Sequence, residues 1–186
     1  MYFRPLSYLL VWLLCSQAGA VLNFTLYQYA TDVVLEVEGS VNLSGLDFEA
    51  VGVISASINP GEGSLGATSG AVWGYSGMTG PDNFGSGTSI GATNFDGDVV
   101  GILGGYGLLV PENYDSGDPI AAQAVWELTT LAELGVTPGT YEYTWSGDSV
   151  ILTIVPEPAY SGLGIGFAMA GLLIWRCRRK VGEYSA

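Results

Sequence analysis

Apolar and polar positions alternate most clearly in residues 32–43, DVVLEVEGSVNL. Val33, Leu35 and Val37 fall on one side there and Glu36 and Glu38 on the other, the period of a half-buried strand. The stretch before it, VLNFTLYQYA (21–30), is apolar and aromatic with partial alternation. Further on, GTYEYTW groups Tyr141, Tyr143 and Trp145 opposite Glu142 and Thr144. SGD then reads as a tight turn and SVILTIV as a returning strand, together a hairpin. From Pro60 to Gly105 the chain is so rich in Gly, Ser, Thr and Asn that it fits either loops or short, glycine-interrupted strands. IAAQAVWELTTLAEL (120–134) is the best helix candidate, although Val125, Trp126, Thr129 and Thr130 also suit a strand. No fixed-period repeat is visible. These signals predict one all-β domain over residues 21–155, an antiparallel β-sandwich of Greek-key type.

Two apolar runs flank that domain. LSYLLVWLLC (6–15) follows Arg4 and precedes the small-x-small sequence Ala18-Gly19-Ala20. A charged start, a short apolar core and such a site make a signal peptide over 1–20, cut by signal peptidase after Ala20 to leave Val21 first; a cut after Ala18 is the alternative. An uncleaved anchor is disfavoured because the apolar core is short. Leu13 and Leu14 before Cys15 are too bulky for a lipidation site. The second run, Ala159 to Trp175, has 17 uncharged residues. As a helix it would reach about 25 Å, a minimal span of a hydrocarbon core of about 30 Å. Tyr160 and Trp175 would sit at the two interfaces. Pro156 and Pro158 cannot lie inside a helix, so it starts at or after Pro158. Gly162 and Gly166 form a G-x-x-x-G pair suited to close helix contact, with a second copy or with another membrane protein.

Charge sharpens this layout. The chain has five Lys plus Arg: Arg4, Arg176, Arg178, Arg179 and Lys180. Of 18 acidic residues only Glu183 lies outside residues 21–175, which leaves 17 carboxylates and no cation in that stretch. Basic ends and an acidic middle match the rule that Lys and Arg stay in the cytoplasm. Arg176, Arg178, Arg179 and Lys180 then act as a stop-transfer signal, with residues 176–186 as a cytoplasmic tail. A surface of charge −17 repels phosphate and argues against nucleic acid as a partner.

The candidate chemistry is sparse. Residues 21–175 hold no His, Cys or Lys. Ser-His-Asp and Cys-His catalysis, Lys nucleophiles, imidazole metal sites and internal disulfides are therefore excluded there. Carboxylate pairs of the glycosidase kind are left, with nothing in the sequence to single one out. Asn94, Asp96 and Asp98 alternate around a glycine, and Glu112, Asn113, Asp115 and Asp118 lie close together. Such oxygen donors suit calcium, but they are equally ordinary turn chemistry, and no twelve-residue loop with a closing Glu is present. Trp73, Tyr75, Tyr106 and Tyr114 offer rings for stacking on sugars or for core packing. Asn23-Phe24-Thr25 and Asn42-Leu43-Ser44 match the N-glycosylation pattern, which is short enough to arise by chance.

Val155-Pro156-Glu157-Pro158, a short glycine-containing apolar helix and an Arg-rich end, in that order, resemble the PEP-CTERM protein-sorting domain. The resemblance covers residues 156–180, with the helix over 159–175. It implies recognition of the tripeptide by a membrane-embedded sorting enzyme, an exosortase, which removes or replaces the tail. It also implies a Gram-negative, exopolysaccharide-producing source. Only Pro156, Glu157 and Pro158 carry over as the recognition element, and Arg176, Arg178 and Arg179 as the basic end. Cys177 interrupts the arginines, and six residues follow Lys180. GDVVGILGGYGLLVPENYDSGDPI and LGVTPGTYEYTW also resemble segments found upstream of such tails, to which the family attaches no activity. A proline on each side of Glu157 stiffens an extended backbone and holds one carboxylate in place.

The expectation is an exported bacterial surface or extracellular-matrix protein, non-catalytic and associated with exopolysaccharide. It passes through the inner membrane and carries a sorting tail. The alternative is a permanently anchored single-pass protein with a calcium- or carbohydrate-binding β domain.

Overall fold

The computed structural model describes residues 21–104 and 107–156. Thirteen strands and one short α-helix follow in order, with a single 3-10 turn at Pro60–Glu62 between β4 and β5: β1 (Val21–Tyr29), β2 (Asp32–Gly39), β3 (Asp47–Ile54), β4 (Ser57–Asn59), β5 (Ser64–Gly66), β6 (Gly70–Ser76), β7 (Ile90–Gly91), β8 (Asn94–Gly97), β9 (Gly101–Leu103), β10 (Gly107–Pro111), β11 (Ile120–Trp126), α1 (Leu131–Leu134), β12 (Gly139–Thr144) and β13 (Ser149–Ile154). They form two sheets, with strand order β12-β13-β1-β2-β11-β8 in the first and β3-β6-β10-β9-β5-β4-β7 in the second.

The expected strands and hairpin are present. Val33, Leu35 and Val37 of β2 are fully buried while Glu36 and Glu38 are exposed. Leu22, Phe24 and Leu26 of β1 supply the neighbouring buried row, and Val150, Leu152 and Ile154 of β13 the next. β12 and β13 pair in register from Gly139↔Ile154 to Thr144↔Ser149. In the glycine-rich middle, β4, β5 and β9 are strands of only three residues.

Two expectations need correction. All pairs are antiparallel except β1 with β13, which run parallel from Val21↔Ser149 to Leu26↔Ile154. The first sheet is therefore mixed, and the first and last described strands lie side by side within it, second and third from the β12 edge. The helix expected over 120–134 is mostly strand. Ile120, Ala122, Ala124 and Trp126 are buried and Ala121 and Gln123 exposed, a period of two that the pairing of β11 with β2 and β8 enforces. Helix survives only in Leu131–Leu134. There the Thr130 hydroxyl accepts from the Glu133 N–H, the Glu133 carboxylate accepts from the Thr130 N–H, and Gly135 ends the turn.

The second sheet contains a long bent hairpin. β3 runs through Ser55 and Ala56 into β4, and β5 through residues 67–69 into β6, with β3 paired to β6 and β4 to β5. The β9–β10 hairpin lies along its free side, β9 against β5 and β10 against β6. The fold is tight at the corner. A Cβ on Gly66 would come within 2.6 Å of the Ser55 carbonyl, and one on Gly101 within 2.6 Å of the Leu65 carbonyl. No larger residue fits without backbone movement.

Inward side chains of both sheets belong to one hydrophobic cluster. It takes Phe24, Leu35, Leu152 and Tyr143 from the first and Ile58, Leu65, Ile102 and Leu108 from the second. Trp126 of β11 spans the layers, and its Nε1 donates to the Ile90 carbonyl of β7 at 3.2 Å.

Candidate functional site

β13 runs between β1 and β12, and its last inward residue, Ile154, is buried. The Val155 N–H still donates to the Leu26 carbonyl at 2.9 Å. Pro156 follows, is exposed, and has no N–H with which to extend the ladder. The first residue of the tripeptide thus stands two residues beyond a strand paired on both sides, with only Val155 between them. Glu157 and Pro158 lie outside the described residues, as do the run 159–175, Arg176, Arg178, Arg179 and Lys180, and Ala18 and Ala20. Among the described residues no helix is long and apolar enough to cross a membrane. At the other end of the domain Val21 is already paired with Ser149, and Leu22 is buried. Because β1 and β13 are parallel, the level of Val21 and the level of Ile154 lie at opposite ends of the pair, about 17 Å apart at 3.3 Å per residue.

The outer face of the first sheet is polar. One register row crosses all six strands: Asp96, Gln123, Glu36, Thr25, Thr153 and Thr140. A shallow hollow of about 310 Å³ lies along it, lined by Glu36, Glu38, Asp96 and Gln123. Of these carboxylates Glu36 takes a hydroxyl partner. The Tyr27 hydroxyl donates to Glu36 Oε1 at 2.8 Å, and burial together with that carboxylate raises the phenol above its ordinary value of 10.0.

The three calcium candidates take separate structural partners. Asn94 Nδ2 donates to Glu127 Oε1 at 2.8 Å. Asp96 is exposed opposite Gln123. Gly97, at φ 97°, turns the chain so that Asp98 Oδ2 accepts the Ala121 N–H at 2.9 Å. Among the described residues no group of three or more acidic, His or Cys side chains is arranged to hold a metal ion. The second acidic stretch folds around Tyr114. That residue is buried, its hydroxyl donates to the Val41 and Asp118 carbonyls, and it accepts the Val41 N–H. It is therefore a loop pin rather than a sugar platform. Trp73 and Tyr75 are partly buried against the core, each meeting the Phe48 ring edge-on at 5.8 and 5.6 Å. Tyr106 lies outside the described residues.

The second sheet's outer face is different, and the sequence pattern does not announce it. Its row reads Ala50, Gly74, Leu109, Gly101, Gly66, Ser57 and Gly91 across seven strands. Two hollows meet at Leu109. One, of about 400 Å³, is apolar and lined by Gly52, Ile54, Val72, Gly74 and Leu103. The other, of about 470 Å³, is edged by Ser55, Ser57, Ser64 and Ser89. The hint in the sequence is a set of charge-free runs, residues 50–61, 63–81 and 99–111. The chain matches no protein-family model, no curated protein and no solved structure.

Proposed function

We propose that this is an exported acidic β-sandwich protein delivered to the cell surface or medium by a C-terminal sorting signal. In this reading Pro156, Glu157 and Pro158 are the element an exosortase-type enzyme recognises, residues 159–175 hold the chain in the inner membrane, and Arg176, Arg178, Arg179 and Lys180 fix its direction. Signal peptidase cuts after Ala20. The observation that carries the reading is the position of Pro156. The last ladder bond ends at Val155, so a cut beyond it leaves both sheets whole. Likewise, a cut after Ala20 leaves β1 complete from Val21.

The domain itself is non-catalytic in this proposal. It holds no His, Cys or Lys, and two of its carboxylates, Glu36 and Asp98, accept from a hydroxyl and a backbone amide. It joins an exopolysaccharide-containing matrix through neutral and acidic surfaces.

Two tags test this in the native host, one after Val21 and one after Ala186, each followed through cytoplasmic, membrane and extracellular fractions. The N-terminal tag is expected at the surface or in the medium without the C-terminal one, and Glu157→Ala is expected to trap both in the inner membrane. Both tags remaining together in the inner membrane, whatever stands at 157, would make the tail a plain anchor.

A further inference from the structure

Four strand edges end the two sheets among the described residues: β12, β8, β3 and β7. Three are blunted. β7 has two residues, and β8 has four and carries Asp96. β12 carries Glu142, and Thr144 exchanges both backbone hydrogen bonds with Thr79. β3 is not blunted. It has eight residues, no Lys and no Pro, and its two acids, Asp47 and Glu49, lie at one end beside a bulge between Phe48 and Ala50. Residues 50–54 form a regular, uncharged stretch whose outer backbone groups have no partner among the described residues. Its valines are bare, Val51 59 % and Val53 80 % exposed.

We propose that β3 pairs edge to edge with β3 of a second copy, antiparallel about a two-fold axis at Gly52. Residues 50–54, Ala-Val-Gly-Val-Ile, are nearly symmetric about Gly52, which suits a two-fold contact with a second copy, and the two acids limit the register. An axis at Phe48 sets Asp47 opposite Glu49, and an axis at Glu49 sets that carboxylate against its own copy. An axis at Gly52 pairs residues 50–54 with 54–50 of the copy and leaves Asp47 and Glu49 beyond the paired stretch, so no carboxylates meet. It also sets Val51 opposite Val53 on one face and Ala50 opposite Ile54 on the other. Cross-strand β-branched pairs of this kind stabilise a sheet. An axis at Val51 would instead place Glu49 against Val53. The Gly52 register joins two seven-stranded sheets into one and brings the two apolar hollows, each lined by Gly52, Ile54 and Val72, to either side of the axis.

The test uses the purified full chain in detergent, with Cys15→Ser and Cys177→Ser. Light scattering should find a dimer whose share rises from about 50 to about 500 mM NaCl, because salt screens the repulsion between two acidic domains. Gly52→Cys should cross-link the dimer on mild oxidation. Its Cβ would meet only a Val72 methyl at 4.0 Å, and residues opposite each other at a two-fold axis lie within disulfide reach. Thr140→Cys, exposed on β12, should not cross-link. Val53→Lys should weaken the dimer about tenfold or more although it lowers the net negative charge, with circular dichroism unchanged. A chain monomeric at every salt concentration would overturn the proposal. So would a dimer that survives Val53→Lys and stays uncross-linked in the Gly52→Cys variant. The latter result would place the contact elsewhere, for instance in the tail helix.

Discussion

The outer faces of the two sheets meet solvent in opposite ways. The first keeps side chains and makes them polar, in the row from Asp96 through Glu36 to Thr140. The second keeps them small, Leu109 excepted, in the row from Ala50 through Gly101 to Gly91. A polar face tolerates change because its groups point into water. A glycine face does not, because the missing side chains are what let the hairpin of β3–β6 fold back on itself so tightly. Glycine strands are weak individually, which fits their three-residue lengths. Their stability comes from Ile58, Leu65 and Ile102 on the inward side.

The contact between the layers should be the most sensitive point of the comparison. Trp126→Ala removes a buried ring and its bond to β7, and should cost about 3–5 kcal/mol in urea unfolding. On the glycine face, Gly101→Val should cost about 1–3 kcal/mol, and Glu36→Gln on the polar face less than about 0.5 kcal/mol. Equal losses at those two positions would erase the distinction between the faces. A pH scan addresses the core of the first sheet. Burial pushes the Tyr143 hydroxyl up to about 12 from 10.0, and that hydroxyl has no hydrogen-bond partner among the described residues. The unfolded chain therefore loses this proton first. Stability from this group is intact below pH about 10 and is lost as pH climbs toward about 12. Tyr143→Phe should flatten that decline, as followed by thermal melts at stepped pH. The smallest structural unit, α1, rests on its cap, and Thr130→Ala should cost about 1 kcal/mol.

The same contrast explains what the sequence makes legible. β1, β2, β12 and β13 stand out because polar outward residues alternate with apolar inward ones, as Glu36 does with Leu35 and Val37. In the second sheet many outward residues are glycine, alanine or serine and others, such as Leu109, Val72 and Ile54, are apolar, so no polar outward row marks the alternation. Residues 60–105 consequently read equally well as loop. β11 reads as helix because Ala121 and Ala122 suit one, and only pairing with β2 and β8 decides their state. The Thr130–Glu133 capping pair is a local signal and sits in the expected segment. Register, in contrast, is not local. Nothing near Val21 or Ser149 announces that they are neighbours. The acidic candidates are visible as residues, but their use is not. Asp98 serves a backbone amide of β11, 23 positions away in sequence.

The place of β13 has a mechanical consequence. It has six paired positions with β1 on one side and six with β12 on the other, and the chain leaves it through Val155 and Pro156. A tug along the strand from Pro156 would load both ladders together, in shear, rather than opening them one bond at a time from an edge. Whatever holds the chain beyond Pro156 therefore grips the protein by a strand braced along both sides.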